Sequence, residues 1–369
     1  MSRGFSNLNV PEYLSGIDPS PRSAKTYLSG TLEQHLRLHK RSTEWWHLRP
    51  QDQRIEDAIL GRPGKAPANA LASNSSARYA VGQFGIDLFD QHRREWPQRR
   101  YALATLFSDR WLSFDRDLWV LLGGIKEASR QVIRLGQFDG WLAVVEFQTL
   151  VNTLGGLGRL ILPNVHAVAW SDDPSFSFEA AEDRMLRSGR LFSHASAKTA
   201  DVRRTADTSP TNLIAYMLKA AAVGKHRIPS TSSRWGFVLD DCALPPRAAA
   251  RQTELLSSLY LDELIMAGGA GSPLRTALVG HLNANVVRSR NTELSVEGAT
   301  RFWNGVRPRA SARYSPVSVH RERRQLPHDA PLSLDPMRSI REMSWLHRRE
   351  LVESLLREHA QGAVLRRGR

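Results

Sequence analysis

The chain has 369 residues, 41% of them hydrophobic and 24% charged, which is enough apolar material for a folded protein of two or three domains. Its 51 Lys and Arg, mostly Arg, outnumber 37 Asp and Glu to give +14, a balance that points to polyanions and first to nucleic acid. The lone Cys242 excludes an internal disulfide and a cysteine-rich zinc site, and no run approaches the ~20 apolar residues of a membrane span.

Residues 1–77 read as a polar N-terminal arm. Its first residues, "MSRGFSNLNVPEYLSG", lack the apolar stretch of a signal peptide, so a cytoplasmic location is expected. Residues 1–30 look loose, helical patterns follow in "TLEQHLRLHKRSTEWWHL" and "QDQRIEDAIL", and residues 61–77 form a breaker-rich linker. "RYAVGQFGIDLFDQHRREW" has the apolar spacing of an amphipathic helix. From Arg99 the pattern becomes α+β. "RYALATLF" predicts a strand, "DRDLWVLLGGIKEASRQVIRLG" a helix stopped at Gly136, and "GWLAVVEFQ" and "LILPNVHAVAW" two strands paired across the turn-rich "LGGLGR". A helix in "FEAAEDRMLRSG", a short strand in "ADVRRT" and a helix in "SPTNLIAYMLKAAAVG" follow, the last with Ser209 as N-cap and Pro210 in its first turn.

This order predicts an antiparallel sheet backed by helices over residues 78–230. Residues 231–369 read as a mainly helical, Arg-rich accessory DNA-binding region. Within it, "ELIMAGGAGSPLRTALVGHL" suggests two helices around a Gly-rich turn, the basis for an alternative function as a non-enzymatic helix-turn-helix DNA-binding protein. Residues 301–337 are Pro- and Arg-rich and expected to be extended, and a last helix is expected from Ser339.

Strand alternation places Glu146 and Gln148 on one face of the second strand, and Asn164 and His166 on one face of the third. A hairpin brings those faces together. A carboxylate, an imidazole and an amide oxygen suit Mg²⁺ or Mn²⁺ better than structural zinc; the plainer reading is a Glu–His ion pair at a sheet surface. Tyr216 and Lys219, three apart, share a helix face with Asn212. A tyrosine hydroxyl can attack a phosphodiester when nearby charge is relieved, and a cation one turn away can hold the phosphate or stabilise the phenolate.

In order along the chain, "RYALATLF", Glu146 in "AVVEFQ", "LPNVHAVAW" and "AYMLKAA" resemble the motifs of the HUH endonuclease superfamily, in particular the rolling-circle replication initiators of plasmids and phages. The resemblance spans about residues 97–228. It implies a ferredoxin-like palm of HUH type that nicks single-stranded DNA through a 5′-phosphotyrosine, starting rolling-circle replication. It further implies that His166, Glu146 and Asn164 bind Mg²⁺ or Mn²⁺, that Tyr216 attacks, and that Lys219 assists the phosphate. The implied partners are single-stranded or supercoiled origin DNA, a host helicase and a polymerase, with no membrane. Arg203, Arg204, Lys225 and Arg227 are expected to hold DNA. One position departs from the family: Asn164 stands where the first His of the second motif belongs. Three outcomes stay open for it, namely a working variant site, repair by Gln148 or His194, and an inactive DNA-binding palm. No GxxxxGK[ST] phosphate loop occurs, so no fused ATP-driven helicase is indicated.

Overall fold

A computed structural model describes residues 20–61, 67–151, 159–191, 199–204, 209–219, 223–229, 237–286, 295–310 and 314–322. Helix α1 (Pro21–Trp46) starts at Ser20, whose hydroxyl accepts from the Ser23 N–H at 3.3 Å, with Pro21 preset for the first turn. Residues 21–30 are therefore helical rather than loose, and Ala24 and Leu28 supply their buried side. Helix α2 (Pro50–Leu60) follows. Helix α3 (Ser75–Glu95) starts at Asn74, whose Oδ1 accepts from the Ala77 N–H at 2.9 Å.

Strand β1 (Arg100–Phe107) precedes two short strands, β2 (Ser113–Phe114) and β3 (Trp119–Leu121). Helix α4 (Leu122–Leu135) leads into β4 (Gly140–Leu150), which pairs antiparallel along its whole length with β5 (Leu160–Ser171). Helix α5 (Phe178–Arg187) returns the chain to β6 (Ala200–Arg204), antiparallel to β1. The sequence of these main elements is β–α–β–β–α–β, and the spatial order is β6-β1-β5-β4. The two crossover helices meet where Arg184 donates to the carbonyls of Leu135 and Gly136 at 3.0 and 2.8 Å.

Helix α6 (Pro210–Leu218) starts at Ser209 and Pro210 as the sequence predicts. Strand β7 (Val223–Pro229) then joins the end of β4 in parallel, and β8 (Phe237–Ala243) pairs antiparallel with β7. Helices α7 (Pro246–Ser257) and α8 (Leu261–Leu264) lead to β9 (Ile265–Gly269), which pairs with the first half of β4. Helices α9 (Ser272–Asn285) and α10 (Val296–Ala310) follow, and β10 (Ser318–His320) lies parallel to β3. The result is a mixed α+β chain with an eight-stranded, mostly antiparallel sheet. Every residue of β4 is buried, so the sheet is covered on both faces. No described helix is long and apolar enough to cross a membrane.

Several expectations need correction. Trp119–Leu121 forms a strand instead of the first turn of α4, because a segment about 200 residues away supplies its ladder partner. Ile265–Gly269 is also a strand, zipped onto β4, so the Gly-rich turn joins a strand to α9 and no helix-turn-helix exists there. Gly269 makes that turn with φ +56°, a conformation that favours glycine. Residues 301–310 are helical rather than extended. Strands β8 and β9 come from the expected accessory region yet share the sheet with β1, β2 and β4 to β7, and α1 packs on α3, α6 and α7. The helix expected from Ser339 lies outside the described residues.

Candidate active site

The pleat sets the first part of the site. Thr105 of β1 stands opposite His166 of β5, and Glu146 of β4 stands opposite Asn164 of β5. Directly paired residues project to one face, so Thr105, Glu146, Gln148, Asn164 and His166 converge there. The alternate residues Ala104, Val145, Val165 and Ala167 are apolar and fully buried on the other face. His166 Nε2 lies 2.9 Å from Glu146 Oε2, and Thr105 Oγ1 lies 3.1 Å from His166 Nδ1. An ionised carboxylate only accepts, so Nε2–H donates to Glu146 and the Thr105 hydroxyl donates to Nδ1. Gln148 Nε2 donates to the same carboxylate oxygen at 3.0 Å, and Asn164 Nδ2 approaches it at 3.5 Å.

Helix α6 supplies the second part. Its apolar residues Leu213, Ile214, Met217 and Leu218 are buried, and Gly85 lets α3 approach: a Cβ there would stand 3.0 Å from Ile214 and Leu218. Tyr216 is set edge-on against His166, with ring centroids 5.0 Å apart. Lys219, three residues on, lies beside Tyr216 on the same helix side as expected, because its φ of −52° is still helical and only its ψ of 153° turns the following chain away. Its ammonium stands 3.5 Å from the Tyr216 ring centroid and 3.4 Å from Glu146 Oε1. Arg78 of α3 fixes the exit by donating to the Lys219 carbonyl at 3.2 Å and to the Ala72 carbonyl.

Electrostatics in the cluster follow from burial against pairing. Burial opposes ionisation of Glu146, yet Lys219, then His166 and Lys225, outweigh it and hold the carboxyl well below its usual range. Burial likewise opposes the Lys219 charge, and Glu146, followed by Tyr216, overrides it, so Lys219 stays protonated at any ordinary pH. Burial lowers His166 despite the opposing pull of Glu146, which keeps the imidazole neutral. Burial also pulls Arg78 down to about 10 against the pull of Glu146, and the guanidinium remains charged at neutral pH.

All five residues expected to act in catalysis or metal binding, Tyr216, Lys219, His166, Glu146 and Asn164, thus meet in one buried cluster. The expected DNA contacts divide. Arg203 lies on the His166 side of the sheet, paired with Asp201 at 2.7 Å, while Arg204 is exposed on the other side. Lys225 is buried, within electrostatic reach of Glu146 and His166, because β7 docks beside the end of β4. The Arg227 side chain and His194 lie outside the described residues. Sequence patterns missed Arg78, which precedes Lys219 by 141 residues and has no motif of its own.

The donor set does not fit a divalent ion. Mg²⁺ and Mn²⁺ take about six ligands, mainly oxygens and preferably anionic. Glu146 already accepts from His166, Gln148 and Lys219, Asp201 on the same face is paired with Arg203, and Lys219, Lys225 and Arg78 all act electrostatically on Glu146. Asn164 Oδ1 and Gln148 Oε1 have no partner among the described residues, but as neutral oxygens they do not offset three cations. No group of three His, Cys, Asp or Glu among the described residues is arranged to hold a metal ion. The cluster's excess of cations suits an anion instead. No protein-family model, curated protein or solved structure matches the chain.

Proposed function

We propose that this chain is a rolling-circle replication initiator of HUH type that nicks single-stranded DNA through Tyr216. The observation that carries this function is the meeting of Tyr216, His166, Lys219 and Glu146, which come from three elements distant in sequence. The β–α–β–β–α–β run with order β6-β1-β5-β4 supports the reading of a ferredoxin-like palm. The charge of +14 suits a DNA partner.

In this function the Tyr216 oxygen attacks the scissile phosphorus. The new O–P bond leaves a 5′-phosphotyrosine, and the broken P–O bond frees a 3′-hydroxyl. One proton leaves the phenol and one is taken up by the 3′-oxygen. Lys219 lies over the ring that becomes a phenolate, where a fixed cation lowers the cost of the developing charge. Glu146 holds Lys219 and His166 in place, and Thr105 fixes the imidazole tautomer.

Labelled single-stranded oligonucleotides from the protein's own replicon test this function. A covalent adduct is expected on a denaturing gel, absent in Tyr216→Phe and strongly reduced in His166→Ala. DNA binding with no adduct on any origin-derived substrate would favour a second function, a non-catalytic DNA-binding palm. The burial of Tyr216, 3% exposed, is the feature that favours that alternative.

A further inference from the structure

We propose that the cation serving the phosphate at this site is Lys219, backed by Lys225 and Arg78, so that the DNA strand is cut without a divalent metal. This proposal rests on the nicking function above. Its ground is positional. The ammonium of Lys219 stands 3.4 Å from Glu146 Oε1 and 3.5 Å from the ring centre of Tyr216, next to both the carboxylate and the nucleophile. A metal serving the same phosphate would have to occupy that space. To enter, it would displace an ammonium held by a buried carboxylate and by the backbone turn that Arg78 clamps. Lys225, buried on β7 beside the end of β4, adds further positive charge to that space, and the nearest other acid on this face, Asp201, is already paired with Arg203.

Asn164 fits the same logic. An imidazole there would add a strong metal ligand; the amide turns its Nδ2 toward Glu146 at 3.5 Å and adds a donor. Asn212, on the helix face of Tyr216 one turn earlier, is buried with neither amide atom partnered among the described residues, and its N–H groups face the side to which an anion at the tyrosine would come. The three cations act on the non-bridging phosphate oxygens and on the oxyanion that forms as the Tyr216 oxygen bonds to phosphorus. The leaving 3′-oxygen takes up a proton, and no electrons change hands.

The test uses the full chain and single-stranded oligonucleotides tiled across the replicon that encodes it. Each reaction is run in excess EDTA and in Mn²⁺, and the covalent adduct is read on a denaturing gel. Equal adduct yields in EDTA and Mn²⁺ are expected, together with a loss of about 10²–10³-fold in Lys219→Met. Lys219→Arg, which keeps the charge, should recover part of the yield and is the variant to read if Lys219→Met does not fold. An adduct that forms only with Mn²⁺ overturns metal independence and leaves the nicking function standing. Absence of an adduct in every condition overturns the nicking function, and calorimetry then decides the anion site alone. Inorganic phosphate should bind the full chain, about tenfold more weakly in Lys219→Met, and Mn²⁺ should give no binding heat. Mn²⁺ binding lost in Glu146→Gln, or no phosphate binding, overturns the proposal.

Discussion

At Glu146 two effects oppose each other: burial favours the neutral acid, while Lys219 at 3.4 Å and His166 at 2.9 Å favour the carboxylate, and pairing wins. Because the folded-state pKa is depressed, the stabilisation is fully present above the unfolded value near 4.5 and is lost as pH falls below it. Glu146→Gln leaves Lys219 buried without its anion, so it should cost about 3–5 kcal/mol at neutral pH. The variant should also lose less stability than the wild type between neutral pH and the acid range. Thermal midpoints recorded against pH check both parts; parallel curves for the two proteins would contradict the ion-pair account.

Among the elements, β9 decides more than its five residues suggest. Its pairing with β4 converts an apolar run that alone reads as helix into a strand, and removes a helix-turn-helix from the molecule. The turn that ends it depends on Gly269, where φ is +56° and an added Cβ would meet the Asp139 carbonyl oxygen at 2.3 Å. Gly269→Ala should therefore destabilise the fold by about 1–3 kcal/mol from backbone strain alone. A denaturant midpoint unchanged from wild type would contradict this. Helix α6 ends at Leu218, and the turn that follows is held from α3, where Arg78 donates to the Lys219 carbonyl at 3.2 Å.

For the whole molecule, charge and architecture act separately. The net +14 acts at long range and favours polyanions at the surface. The logarithm of the single-strand binding constant should fall linearly with the logarithm of salt concentration, by about 0.7 per phosphate neutralised. Fluorescence anisotropy across a salt series measures that slope, and a salt-independent constant would remove nucleic acid from the partners. The architecture instead governs access. Helices α1, α3 and α6 pack on one another, Leu28 of α1 lying where a Cβ on Gly82 of α3 would stand 2.5 Å away, and Tyr216 is buried in α6.

Local pattern alone marks the central strands and the polar residues that share a face on them. Alternation in β4 and β5 is a local property, and one hairpin register suffices to bring Glu146, Asn164 and His166 to one face. Ser209 and Pro210 likewise mark the start of α6 because capping acts within one turn. Tertiary structure alone decided where that helix stops, that Arg78 clamps its end, and that Lys225 faces inward. It also decided that two apolar runs, Trp119–Leu121 and Ile265–Gly269, are strands. Each of these depends on a partner far away in the chain. A short apolar segment has no period long enough to distinguish helix from strand until that partner is in place.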